Sequence, residues 1–349
     1  MAMTLLGLVA GASVIITGSP LPVPSISNQR SLCNETCSAL SQLESETDFN
    51  KIGCALLDAS SATANPVLSL CGVLPDNKHI RHYFKTENEF LSEVSSHKSF
   101  RGPVGIVVKF GDNGTLSSAS EQYLRSKHIA FLSQAHVMVP EHQRDWYILQ
   151  PDFNFIHWRG YASLVSRLDR ECPPFENRTE VVFWRGSSTD YIGPTCEDVP
   201  RVRMVQAAES IPWIDAKITN YVRFCLGRGA AARRVPEVQW CQRKGILDID
   251  GNTNAGGLLW RLASGSVVFK VHSLFDCHIC RELRPWVHYI PLSRSLQDLA
   301  EGTAIIANRS RTEELAKVSR AAKDLVRRFS YENELLRVVR ALSSFSSSN

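Results

Sequence analysis

No apolar stretch in this chain of 349 residues reaches the ~20 residues that cross a bilayer comfortably, and no internal repeat recurs. Thr4 to Gly18 (TLLGLVAGASVIITG) is uncharged and apolar, but it stops at Ser19-Pro20-Leu21-Pro22-Val23-Pro24 and has no positive residue ahead of it. It has the shape of a signal-peptide core or a short signal anchor with a proline-rich stem; a buried edge element is the plainer alternative. Charge of one sign is scarce too. The net charge is +4, the basic residues are spread along the chain, and no aromatic-interleaved basic stripe appears, so nucleic acid is not an expected partner. A serine-hydrolase G-x-S-x-G is missing, which leaves Ser187 and Ser188 without nucleophile context. Cys277-His278-Ile279-Cys280 is a C-x-x-C without a second pair at zinc spacing, so no metal is expected; a disulfide to Cys241 or Cys225, or buried thiols, is the reading preferred.

What is present fits a soluble globular protein: 44% hydrophobic and 21% charged residues, in a length that predicts two domains of about 150 residues. Ten cysteines, an even number, accompany four Asn-x-Ser/Thr sequons at Asn34, Asn113, Asn177 and Asn308. Together with the apolar leader they point to an oxidising compartment: the endoplasmic reticulum or Golgi lumen, or the exterior. The expected organisation is a signal or anchor-like segment over 1–24 and a cysteine-rich extension over 25–75, stapled among Cys33, Cys37, Cys54 and Cys71. A first α/β region follows over 76–172, a second over 173–310, and C-terminal helices over 311–349.

Strand-like runs alternate with helical ones. Gly105 to Phe110, Ala130 to Leu132 and Tyr147 to Leu149 serve the first region, and Glu180 to Trp184, Ile246 to Ile249, Val267 to Val271 and Val287 to Ile290 the second. Helices are expected over Glu87 to Val94, Ala119 to Lys127, Tyr161 to Arg170, Arg201 to Ala208, Ala255 to Leu262, Ser295 to Ala307, Thr312 to Arg328 and Glu332 to Ala341. Such alternation predicts parallel sheets, which bind ligands beyond the carboxyl ends of their strands.

Three strand ends carry chemistry. Gly251-Asn-Thr-Asn-Ala-Gly256 has phosphate-loop glycine spacing but continues Gly257-Leu258 where a triphosphate loop needs lysine, and it does not fit G-x-G-x-x-G. An anion-binding turn and an ordinary capped βα turn both remain open. Phe183-Trp-Arg-Gly-Ser-Ser-Thr189 offers guanidinium and hydroxyl donors to phosphate, or an arginine paired with a carboxylate. Asp112, after the first clear strand, could act as a general base; an Asx turn in Asp-Asn-Gly is the commoner role. Asp152, Asp190 and Asp250 also stand near strand ends.

Taken in order, several motifs resemble glycosyltransferase family 90. They are Pro151-Asp-Phe-Asn-Phe, Val182-Phe-Trp-Arg-Gly-Ser-Ser-Thr, Pro200-Arg-Val-Arg, Asp215-Ala-Lys-Ile-Thr, Ile246-Leu-Asp-Ile-Asp-Gly-Asn-Thr-Asn-Ala, Leu262-Ala-Ser-Gly-Ser-Val-Val-Phe-Lys-Val and Pro285-Trp-Val-His-Tyr-Ile-Pro. The resemblance covers roughly residues 145 to 335. It implies an α/β, GT-B-like fold, with two Rossmann-like domains facing a cleft and a helical C-terminal tail. It also implies inverting, metal-independent transfer of glucose or xylose from a UDP-sugar to a hydroxyl of a protein or glycan acceptor, with no separate cofactor. Carried over, Arg185, Gly186 and Ser187, with Ser188 beside them, meet the donor diphosphate. Asp250, Gly251, Asn252, Asn254, Arg261 and His272 lie close to nucleotide and sugar, and Asp112 matches the base. Gly256 and Asp276 to Cys280 depart from the family pattern, which motivates the alternative of an inactive relative that binds glycan or nucleotide.

Overall fold

The apolar runs between Ile52 and Leu149 assemble into one five-stranded sheet. It comprises β1 (Ile52–Leu57), β2 (Ser69–Leu70), β3 (Val104–Lys109), β4 (Ala130–Ser133) and, beyond the short β5 (His136–Val137), β6 (Tyr147–Leu149), in the order β2-β1-β3-β4-β6. This is a computed structural model, and it describes residues 26–45, 51–58, 68–72, 78–110, 116–138, 147–189 and 195–347. The leader over 1–24, Asp112, Asn113 and Asp190 lie outside the described residues. β3, β4 and β6 run parallel, whereas β1 is antiparallel to β3. Successive side chains alternate between faces: Ile106, Val108, Ala130 and Leu132 enter one apolar cluster, Val107 and Phe131 the other. Helices α2 (Lys78–Ser96) and α10 (Tyr331–Ser347) cover the first face; α1 (Ile26–Leu43) and α3 (Ser118–Ser126) cover the second.

Two expectations change here. The cysteine-rich stretch is not an appendage, because β1 is hydrogen-bonded along its whole length to β3 and α1 packs on β1. Its six-residue run IGCALL is buried on both faces, so it shows no polar alternation by which to recognise a strand. Nor is the last helix a tail: α10 returns across the chain to pack on α2 and β3.

The second sheet is wholly parallel, in the order β12-β10-β9-β7-β8. Its strands are β7 (Thr179–Ser187), β8 (Ile214–Asn220), β9 (Arg243–Asp248), β10 (Val267–Val271) and β12 (Ile290–Leu292), and its helices include α6 (Pro200–Ala208), α7 (Leu258–Ala263), α8 (Leu299–Ala304) and α9 (Thr312–Val326). The last strand begins at Ile290, later than expected, because Trp286 takes a left-handed φ of 63° and its N–H donates to the Tyr289 carbonyl, turning the chain first. The helix expected from Ser295 starts only at Leu299; the Asp298 carboxylate accepts from the Ser293 N–H and hydroxyl and holds a turn there.

The halves share one core. Phe183, Ile246 and Val268 of the second sheet belong to the same buried cluster as Ile106 and Val108 of the first. A short antiparallel pair, β5 with β11 (Phe275–Asp276), straps the two halves a second time. Among the described residues no helix is long and apolar enough to cross a membrane. All ten cysteines are paired: Cys33–Cys54, Cys37–Cys71, Cys172–Cys241, Cys196–Cys225 and Cys277–Cys280. Cys277 and Cys280 thus bond each other and not Cys241 or Cys225. By loop-closure entropy the bond between Cys172 and Cys241, 69 residues apart, contributes about 4 kcal/mol, against about 2 kcal/mol for Cys277–Cys280.

Candidate active site

Because β7, β8 and β9 are parallel, their carboxyl ends open on one edge of the sheet, and the segment after β6 comes up to face them. A cleft of about 570 Å³ lies there. Asn154, Trp158 and Tyr161 wall one side; Arg185, Gly186 and Ser187 at the end of β7, Thr219 and Asn220 at the end of β8, and Gly256, Gly257 and Arg261 after β9 wall the other. Arg234, Glu237, Trp240 and Trp260 complete it. The Tyr161 hydroxyl donates to the Gly256 carbonyl at 2.9 Å and ties the two walls together.

The turn after β9 is built on buried charge. Asp248 is fully buried and accepts from Arg261 Nη1 at 2.5 Å and Lys270 Nζ at 3.2 Å. Burial opposes its ionisation, yet the Lys270 and Arg261 charges win and hold its carboxyl below the ordinary value. Lys270 is correspondingly raised by Asp248 and Asp250 against its own burial. Asp250 goes the other way: burial outweighs Lys270 and the nearby Ser273 hydroxyl and raises it, and neither of its oxygens makes a well-formed hydrogen bond. Arg261 is left at the cleft wall, its guanidinium 5.2 Å from the Trp260 ring and 5.7 Å from the Trp240 ring. Gly257 makes room chiefly for Trp260, since a Cβ there would come 2.6 Å from Trp260 Nε1 and 3.2 Å from Arg261 Nη2.

Arg201, on α6, sews the strand ends together. Its Nε donates to the Asp250 carbonyl, Nη1 to the Ser187 carbonyl and the Thr189 hydroxyl, and Nη2 to the Ile249 carbonyl. Gly251 must be glycine for this to fit: a Cβ would come 2.8 Å from Thr189 Oγ1 and 2.9 Å from Arg201 Nη2.

The structure brings Arg185, Gly186, Ser187 and Arg261 to the cleft and leaves other expected residues out of its lining. Arg185 is engaged already: Nη2 donates to both Asp215 oxygens at 2.8 Å, and Nη1 to the Trp184 and Asp215 carbonyls. The carboxylate-paired reading therefore describes its present state. Ser188 is buried, and its hydroxyl accepts from the Val222 N–H at 2.9 Å. Asp250, Gly251, Asn252 and Asn254 form the turn behind the lining, with Asn252 accepting from Arg223 at 3.3 Å. His272 is exposed at the end of β10, outside the cleft. Of the helix after the turn only six residues form, Leu258–Ala263, because the two glycines at 256 and 257 precede it. Trp158, Tyr161, Trp240 and Trp260 were not anticipated. Their only signal was tryptophan and tyrosine beside loop ends, which core packing explains equally well.

Asp152 sits just behind this wall. Its Oδ1 caps α4 (Phe153–His157), accepting the Asn154 and Phe155 N–H groups at 2.9 and 3.1 Å. The residue is half-buried but its carboxyl is enclosed, and burial pushes it up to about 7 against those two bonds. An acid raised in the folded state loses stability as pH rises from its ordinary value towards 7. Asp152→Asn keeps a capping oxygen and removes the charge. The variant is expected to melt higher than wild type at pH 8, with the gap shrinking as pH falls towards 4. A gap independent of pH, read by scanning calorimetry, would show that Asp152 does not titrate there.

A model described as Glycosyl transferase family 90 matches residues 133–334. Protein O-glucosyltransferase 2 of Danio rerio is 31% identical over 158 residues, 44% of this chain and 30% of that protein. Protein O-glucosyltransferase 3 of Homo sapiens is 28% identical over 166 residues, covering 44% of this chain and 31% of its own length. The match thus spans about a third of those relatives. A glycosyltransferase crystal structure from Rickettsia africae ESF-5 superposes with a TM-score of 0.41 at 10% identity, over 68% of this chain and 69% of that one.

Proposed function

Since the chain belongs to glycosyl transferase family 90, we propose that it moves glucose or xylose from a UDP-sugar to a hydroxyl of a protein or glycan acceptor, with inversion. The observation that carries this reading is the cleft itself, within the family match, with Arg185 on its wall at the end of β7 and Arg261 on the helix that follows β9. Two Rossmann-like halves of GT-B type would then bind donor on the second sheet and acceptor on the first. Asp112 would take the proton from the acceptor hydroxyl as it attacks the anomeric carbon. Arg261 and Arg185 would stabilise the charge that grows on departing UDP, work suited to fixed cations. One displacement needs no covalent nucleophile, and no metal is invoked.

Arg185 would turn part of its fork from Asp215 to phosphate on binding. Arg185→Ala is therefore expected to weaken UDP affinity about tenfold by titration calorimetry. Unchanged affinity would assign Arg185 to Asp215 alone. That existing pairing is also the observation that favours the second reading, an inactive binder of glycan or nucleotide. A screen of UDP-glucose and UDP-xylose for UDP release, with hydroxyl-bearing peptides and glycosides as acceptors, separates them. Turnover supports a transferase; UDP binding without turnover on any acceptor supports the binder.

A lumenal or secreted location is supported by five disulfides and by the exposure of the sequon asparagines Asn34, Asn177 and Asn308.

A further inference from the structure

The Cys277-His278-Ile279-Cys280 turn takes no part in the cleft, and its disulfide differs in kind from the other four. Those join residues 21 to 69 apart in sequence and fasten separate elements. Cys277 and Cys280 are 3 apart, and the turn between them is closed by its own backbone, the Cys280 N–H donating to the Cys277 carbonyl at 2.9 Å. The flanking residues are fastened independently. Arg281 Nε donates to Asp276 at 2.7 Å and Nη2 to the Tyr147 hydroxyl at 3.2 Å. Opening the bond therefore releases no element of the fold.

Cys277 is sealed at 1% exposure, while Cys280 is half-exposed. A cavity of about 440 Å³ adjoins the turn, walled by His278, Arg281 and Glu282 on one side and by Tyr147 and Arg337 on the other. His278 Nε2 points to no hydrogen-bond partner. One partly exposed cysteine, one sheltered cysteine and a turn closed by its own backbone are what exchange chemistry requires.

We propose that Cys277–Cys280 is a thiol–disulfide exchange site for a dithiol partner. A thiolate of the partner attacks Cys280 Sγ; a mixed disulfide forms as the Cys277–Cys280 bond breaks, and Cys277 leaves as a thiolate and takes up a proton. The partner's second thiolate then attacks its own sulfur in the mixed disulfide and frees Cys280, which is protonated in turn. Two electrons and two protons pass to the chain, and the partner departs as a disulfide. The reverse sequence reduces an incoming disulfide and restores the Cys277–Cys280 bond. The site directly follows β11, the strand that straps the two halves through β5.

The test uses the full chain, dithiothreitol as the probe dithiol, and timed alkylation read by mass spectrometry. Cys280 should become alkylated at least about tenfold faster than the eight cysteines of the other four pairs, with circular dichroism unchanged. Cys37–Cys71 is the internal comparison, because both its residues are also half-exposed. If that pair opens as fast, or if Cys277–Cys280 opens only as the chain unfolds, the proposal is overturned. Independently, Cys277→Ser should leave Cys280 able to form a mixed disulfide with oxidised glutathione in the folded chain; no adduct would also overturn it. Neither readout depends on sugar transfer.

Discussion

Asp112→Asn should lower sugar transfer by about 10²- to 10⁴-fold while leaving the affinity for UDP unchanged, the pattern of a lost general base. The substitution keeps size and hydrogen-bonding capacity but cannot accept the acceptor proton. On the proposed reading UDP binding falls to Arg185 and Arg261 in the second α/β half, so the two effects should separate cleanly. A variant with full activity would remove Asp112 from the mechanism. Lost UDP affinity would place that residue on the donor side.

The second large effect concerns stability. Asp248→Ala is expected to destabilise the fold by about 3–5 kcal/mol, because it strands Lys270 and part of Arg261 as buried cations. For a chain of this size that corresponds to a melting temperature lower by roughly 4–7 °C. Asp215→Ala is the contrast: its carboxylate is 37% exposed, so the loss should stay near 1 kcal/mol or below. The pH dependence follows in sign. Since Asp248 titrates below its ordinary value, its contribution is fully present above that value and fades as pH falls through the folded one. If both variants melt alike, the buried cluster is not what holds the turn after β9.

The parallel second sheet can be read from its sequence because β9 is a short apolar run ended by Asp-Gly-Asn and β10 one that opens directly after Ser-Gly, and both lie within a few residues of the expected runs. Helix α9, with its long regular periodicity, was equally plain. The first sheet was harder. β1 is buried on both faces and belongs to a stretch dominated by Ser, Asn and Cys, so its apolar run carried no period. Left-handed residues such as Trp286 and Leu296 shifted element ends, and a non-glycine at positive φ leaves no mark in composition.

At the site, the cations were visible and their partners were not. Arg185 and Arg261 stand next to strand-end and helix signals, but which carboxylate each meets depends on register. Arg185 reaches Asp215 diagonally, because β7 and β8 pair with Phe183 beside Asp215 and Arg185 beside Lys217. Arg201 belongs to the Pro200-Arg-Val-Arg motif, yet its role in joining the ends of β7 and β9 depends on three-dimensional contacts. The tryptophans of the cleft illustrate the same limit, since burial and ligand contact favour the same residue type.

The most direct measurement is nuclear magnetic resonance of the sugar product formed from UDP-α-glucose or UDP-α-xylose. A new β-glycosidic linkage with stoichiometric UDP is the predicted result. An α-linkage, or UDP bound but never released from either donor with any acceptor, would contradict the account.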